Sequence, residues 1–249
     1  MTLLLCVGFV LAMLPVGAQP SASWDGLVGL FTQPTAETLP PGQVALTFSE
    51  VRFLQENNDV QVENIWYTGS VTAALTPHWE VAVSGRNDVV KTFLGDAVLP
   101  QSKISQAKII GDVKYIVTPP TGNRIGLAAG VLDITDTTDT IHGEDIGRGR
   151  RFFAVGNYKW ATLGLMEDNN KFGAYAGAKW DIFDNLDLIA EYSTRSPFVV
   201  ISPKPANRAN FNLGARFYPR SVPNLRLDAA AVGDGEFNFG FSVSYRFKL

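Results

Sequence analysis

The chain has 249 residues, a net charge of -3 and only 18% charged residues, while glycine and aromatic residues are plentiful. That length gives room for one large β domain or two smaller ones. The near-neutral balance excludes a nucleic-acid footprint and a strongly acidic tail, and the shortage of charge against about 25% in soluble domains argues against a heavily charged exterior.

Leu3 to Leu14, "LLLCVGFVLAML", is an apolar run too short to cross a bilayer as a helix, which takes about 20 residues. Pro15 follows, then Val16 and Ala18, small residues at the places a signal peptidase reads. Residues 1–18 therefore read as a cleaved export signal, although no Lys or Arg precedes the run; the alternative is a buried N-terminal helix. Cys6, the sole cysteine, lies in that signal, so the mature chain would have neither disulfides nor thiolate chemistry. No later stretch approaches a transmembrane helix, so entry into a membrane would require a closed barrel.

Residues 19–42 form a separate N-terminal segment, read as a candidate lumen plug or a periplasmic lead-in. Within Ser21 to Thr38, the apolar Leu27, Val28, Leu30 and Phe31 would give a plug something to bury.

From Gln43 onward, over residues 43–249, short alternating segments separated by turn signals predict an all-β barrel domain without helices. The expected strands are 43–54, 61–75, 77–87, 104–118, 123–135, 149–159, 160–167, 171–182, 185–194, 208–219, 223–233 and 236–248. The phase is clearest late in the chain. Phe172, Ala174, Ala176, Ala178 and Trp180 alternate with polar or small partners, as do Leu186, Leu188, Ala190 and Tyr192, and Phe211, Leu213, Ala215 and Phe217. Earlier segments are noisier: Ile110 and Ile116 share a face with Lys108, Asp112 and Lys114.

The connections alternate between short turns and longer loops, with the long ones, 88–103, 136–148 and "RSPFVVISPKPAN", all on one parity. Twelve antiparallel strands with both termini periplasmic put every long loop outside, the layout of an outer-membrane barrel; ten or fourteen strands are the alternatives. A soluble periplasmic β-sandwich also alternates. The polar face, however, mixes Gly, Ser and Asn with Lys179, Asp187, Glu191, Arg216, Asp228 and Arg246, a composition suited to a lumen in which charges pair. A barrel of this size falls between side-chain-filled and open ones, so a narrow or plugged lumen is expected.

The final segment, "EFNFGFSVSYRFKL", places Phe237, Phe239, Phe241, Val243, Tyr245, Phe247 and Leu249 on one face. Asn238, Gly240, Val243, Tyr245 and the displaced aromatic Phe247 resemble the C-terminal signal read by the barrel-assembly machinery. Near the mature N-terminus, "GLVGLFTQPTAETLPPGQVALTFSEV", with Gly29, Pro34, Thr35, Ala36 and Gly42, resembles the opening of YjbH-like outer-membrane β-barrel proteins; "LIAEYSTRS" and "GFSVSYRF" resemble later parts of that family. The resemblance implies a non-enzymatic outer-membrane protein associated with exopolysaccharide production or export.

Catalytic constellations are sparse. His78 adjoins Trp79 in a tight turn, where an interfacial pair explains it. His142 lies in "DITDTTDTIHGEDIGRG" with Asp133, Asp136, Asp139, Glu144 and Asp145 nearby, either an acidic loop meeting divalent ions at the lipopolysaccharide surface or the site of an outer-membrane hydrolase. Trp66, Trp79, Trp160, Trp180, Tyr67, Tyr115, Tyr192 and Tyr245 are expected in interfacial girdles rather than a carbohydrate platform. Arg148, Arg150 and Arg151 are either lipid-phosphate contacts or a solvated cluster. No cofactor or metal is expected. The expected partners are outer-membrane lipid and lipopolysaccharide, the barrel-assembly machinery and a polysaccharide, with no nucleic acid.

Overall fold

The computed structural model describes residues 22–24, 26–57, 60–94, 97–98, 104–136, 140–141, 144–145, 149–168, 171–194, 209–233 and 237–249. The export-signal reading therefore lies outside the described residues. The principal strands are β1 (Gln43–Asn57), β2 (Val60–Ala74), β3 (Trp79–Leu94), β4 (Ile104–Thr118), β5 (Gly126–Leu132), β6 (Arg151–Tyr158), β7 (Ala161–Asp168), β8 (Lys171–Phe183), β9 (Leu186–Ser193), β10 (Asn210–Phe217), β11 (Leu225–Gly233) and β12 (Phe237–Lys248).

Each principal strand pairs antiparallel with its sequence neighbours, and β1 pairs with β12 from Gln43↔Lys248 to Arg52↔Phe239. That last pairing closes the sheet into a barrel. Ala97–Val98 adds a two-residue flap to β3, and Thr140–Ile141 pairs with Glu144–Asp145 apart from the main sheet. The twelve-strand expectation therefore holds, including the β6–β7 turn in "NYKWATLG", where Lys159 adopts a positive φ of 51°.

One end of the barrel carries Gln43, Lys248 and the short turns and is called the terminal end; the other is the loop end. At the terminal end Gly42, with a φ of +76°, turns the chain into β1, and its carbonyl accepts from the Leu249 N–H at 3.0 Å. A positive φ is readily adopted by glycine because it has no β-carbon.

The alternation is inverted relative to a soluble protein. On β12, Asn238, Gly240, Ser242, Ser244 and Arg246 are buried, whereas Phe239, Phe241, Val243 and Tyr245 are exposed. The same outward display includes Leu46, Phe48, Val83, Ile109, Leu163, Leu165 and Leu213. A continuous apolar exterior of this kind suits lipid and not water. Aromatic residues mark its limits. At the terminal end Trp79 packs on Tyr115 with centroids 4.8 Å apart, and Trp160 stacks on Trp180 at 5.8 Å. Nearer the loop end Phe152, Phe172, Phe211 and Phe239 are exposed.

Two sequence readings require correction. Trp66 is not a girdle residue: it shares the inward phase with Asn64, Thr68, Ser70 and Thr72, is buried, and lies 3.4 Å from the Arg86 guanidinium carbon. β3 does not stop at residue 87 but continues to Leu94. The barrel wall is correspondingly uneven, since β1 to β4 have 15 or 16 residues while β5, β6 and β7 have 7, 8 and 8. A transmembrane strand needs about 9–11 residues, so the first four strands project past the loop-end boundary. On their outer face Arg52 pairs with Glu50 and Glu63, and Lys91 Nζ lies 3.0 Å from Glu63.

Candidate functional site: a filled lumen

Residues 22–39 lie inside the barrel. Apart from Thr38 and Glu37, which are half-buried, every described side chain of this segment is buried, including Trp24, Leu27, Val28, Leu30 and Phe31. The segment is a folded body in its own right. Backbone bonds run from Trp24 N–H to Phe31 O (2.7 Å), Ser23 N–H to Leu27 O (2.7 Å), Leu30 N–H to Gln33 O (3.0 Å) and Thr35 N–H to Val28 O (3.2 Å). Gly29 and Pro34 form a backbone bridge, and a β-carbon at 29 would overlap the Gln33 carbonyl. The segment enters with Ala22 held by Arg226 and leaves with Leu39 held by Glu80, both wall residues near the terminal end.

Many of its other backbone groups are met by side chains of the wall, as burial of polar groups favours. Glu80 accepts from the Val28 N–H (2.7 Å), the Leu39 N–H (3.2 Å) and the Thr38 hydroxyl (3.0 Å). Beside it Lys114, also fully buried, forms a 2.8 Å ion pair with Glu80 and donates to Val28 O and Glu37 O. On the opposite wall Glu191 accepts from the N–H groups of Phe31 (3.2 Å) and Thr32 (3.1 Å), from the Thr32 hydroxyl (2.6 Å) and from Asn212. Arg216 donates to Gly29 O (3.2 Å) and Leu30 O (3.0 Å) while its Nε lies 3.1 Å from Asp228. Asn157 accepts from the Ala36 N–H, Tyr175 donates to Pro34 O, Thr72 to Gly26 O and Ser49 to Trp24 O.

Apolar contacts complete the fit. Trp24, Leu30 and Phe31 cluster with the inward Val51, Phe53, Trp66, Ile189, Ala230 and Val232. Leu27 and Ala36 cluster with Ala82, Ile116, Ala128, Phe153 and Tyr175. Two wall glycines provide clearance: a β-carbon at Gly240 would overlap the Trp24 ring, and one at Gly177 would overlap Leu30 Cδ1.

The residues singled out in the sequence fall into place around this filling. Lys179, Asp187, Glu191, Arg216, Asp228 and Arg246 are all buried on the inner face. Lys179 pairs with Glu37 at 3.1 Å. Asp187 accepts from the Tyr218 hydroxyl at 3.1 Å, and burial pushes that phenol above its usual pKa. Gly29, Pro34, Thr35 and Ala36 belong to the inserted segment, and Gly42 marks its exit. Asn238 accepts from the Leu54 N–H at 2.8 Å, Gly240 faces Trp24, Val243 and Tyr245 face outward, and Phe247 is half-buried.

Glu80, Asn157 and Arg226 escaped the sequence reading, and Lys114 and Tyr175 were assigned to the polar phase of their strands but not singled out as site residues. The available signal was the mixing of charge and apolar residues on the inner phase of β3 and β4. Arg151 points into the barrel, while Arg150 is exposed and donates to Ile134 O. Arg148, Asp139 and His142 lie outside the described residues, and among the described residues no cluster of His, Cys, Asp and Glu is arranged to hold a metal.

No known family model and no curated protein matches the chain. Among solved structures it is similar to the COG4313 outer membrane channel from Pseudomonas putida F1, with a TM-score of 0.52 and 10% identity over 85% of this chain and 98% of that one. It also matches a Pseudomonas aeruginosa FadL homologue (TM-score 0.38, 10% identity, 83% of this chain and 89% of that one) and a mutant porin of Rh. blastica (TM-score 0.33, 9% identity, 83% and 98%). At such identities the first likeness is one of fold.

Proposed function

We propose that this chain is an outer-membrane channel of narrow bore that its own N-terminal segment holds shut at rest. The observation that carries this reading is the packing of residues 22–39 inside a closed barrel whose outer face is apolar. A barrel without a filling would serve an anchor equally well, but a lumen lined with ion pairs and polar groups suits the passage of solutes once the filling moves. Both ends of the segment lie at the terminal end, which, with its short turns, we read as the periplasmic one. It can therefore retract in that direction as a unit without threading through the wall. The barrel is inserted by the assembly machinery, meets lipopolysaccharide with its projecting first strands, and acts without catalysis; an accessory role in polysaccharide export, as in YjbH-like proteins, is the finer form of this reading.

Bilayer recording tests it. Protein extracted in detergent should migrate faster unboiled than boiled and, once reconstituted, show rare conductance steps. A Leu30→Cys/Gly177→Cys pair, placed where a β-carbon at 177 overlaps the Leu30 branch, is close enough for a disulfide. Oxidation should abolish the steps and reduction restore them. Steps that persist in the oxidised protein would show that solutes do not use the space the segment fills.

A further inference from the structure

The grip on residues 29–32 has a chemistry that the channel reading does not use. Arg216 holds two successive carbonyls, Gly29 and Leu30, and Glu191 holds the next two N–H groups, Phe31 and Thr32. A cation on carbonyl oxygens and an anion on amide hydrogens, side by side, form a receptor for a peptide. The Leu30 carbonyl and the Phe31 N–H belong to one amide, while two residues separate the Gly29 carbonyl from the Thr32 N–H, so the two grips together cover a compound of one or two residues.

The two charges are not equally answered. Arg216 has Asp228 beside it, with Nη2 3.3 Å from Oδ2 in addition to the Nε contact. Glu191, 2% exposed, has no basic partner among the described residues; its charge is met by the N–H groups of the segment, the Thr32 hydroxyl and Asn212, all neutral donors. A buried carboxylate is costly unless paired, and hydrogen bonds to neutral groups compensate it less well than an ammonium would. Elsewhere the same segment is held by a carboxylate that does have its counter-charge, Glu80 beside Lys114. The vacancy in charge is thus local to Glu191.

We infer that Glu191 and Arg216 form the solute site of the channel, and that the solute is a small zwitterionic amino compound, an α-amino acid or dipeptide. Its ammonium takes the place of the segment's N–H groups on Glu191, and its carboxylate takes the place of the Gly29 and Leu30 carbonyls on Arg216. The N-terminal segment is then an internal competitor that mimics the solute's backbone. This inference rests on the channel reading, so its test carries a binding measurement independent of transport.

Full-length protein is assayed in two ways with diglycine, with N-acetylglycinamide as a neutral mimic and with a pentose. Swelling of proteoliposomes reports permeation; quenching of the Trp24 contribution to fluorescence, obtained against Trp24→Phe, reports displacement of the segment. Diglycine is expected to act at about tenfold lower concentration than N-acetylglycinamide in both assays, the scale set by one charge-assisted contact. Glu191→Gln should erase that preference. Thr32→Val, which weakens the competitor without touching the wall, should lower the effective diglycine concentration about tenfold, again one such contact, and guards against a Glu191 variant that fails to fold. Swelling that treats the three solutes alike, with no fluorescence response to diglycine, overturns the solute site and leaves the channel standing. A diglycine response lost in Glu191→Gln, with no swelling for any solute, overturns the channel and keeps the site. Equal responses of wild type and Thr32→Val also overturn the inference.

Discussion

Glu80 and Glu191 do the same mechanical work from opposite walls, each collecting N–H groups of the inserted segment, yet among the described residues Glu80 has Lys114 at 2.8 Å and Glu191 has only neutral donors. A buried ion pair whose remaining atoms are all hydrogen-bonded is an arrangement that resists change at either member. A carboxylate satisfied by neutral groups can exchange them for other donors, an ammonium among them. The Glu80 side therefore acts as an anchor, next to the Pro40–Gly42 exit, and the Glu191 side as the place where the segment can be exchanged.

The sharpest way to break this contrast is to remove the lysine. Lys114→Met should strand the Glu80 charge and destabilise the barrel by about 3–5 kcal/mol, read as a fall in the temperature at which the fast-migrating band is lost, and Lys114→Met/Glu80→Met should recover most of it. Gly240→Ala comes next: its methyl meets the rigid ring of Trp24 rather than a flexible chain, at a cost of about 1–3 kcal/mol, with more frequent channel openings as the segment is pushed out of place. Glu191→Gln should cost less, about 1–2 kcal/mol, because the amide oxygen still accepts from one set of donors and no counter-charge is left behind, although its NH2 faces the other set. A loss as large as that of Lys114→Met would mean that the two sides are equivalent. Arg220→Ala, which removes an exposed 3.2 Å pair with Asp184, should leave the band shift unchanged and provides the baseline.

The unequal legibility of the strands has a physical origin in the same filling. On β8 to β12 the inner phase carries Lys179, Asp187, Glu191, Arg216 and Asp228 opposite outward apolar residues, so period-two contrast was high and both strands and faces could be read. On β1 to β4 the segment brings Trp24, Leu27 and Phe31 against the wall, and the inner phase answers with Val51, Phe53, Trp66, Ala82 and Ile116. Hydrophobicity then appears on both faces, which is why Trp66 read as an interfacial residue, why Glu80 drew no attention and why Lys114 read only as part of a noisy face. The extension of β3 beyond residue 87 was hidden for a different reason. Past the membrane boundary no lipid requires one apolar face, and "NDVVKTFL" loses its alternation while keeping its ladder to β2. What a single sequence could not provide was the partner of each wall residue, since Glu191 and Thr32 are 159 positions apart.

The bridge between Gly29 and Pro34 and the bonds that tie Trp24 to Phe31 and Val28 to Thr35 bear on how such a channel would behave in time. A loose tether would peel away residue by residue and leak by degrees, whereas a cross-braced body surrenders its contacts together or not at all. Current through a single molecule should then rise in full steps of one height, with solute altering how often they occur and not how tall they are.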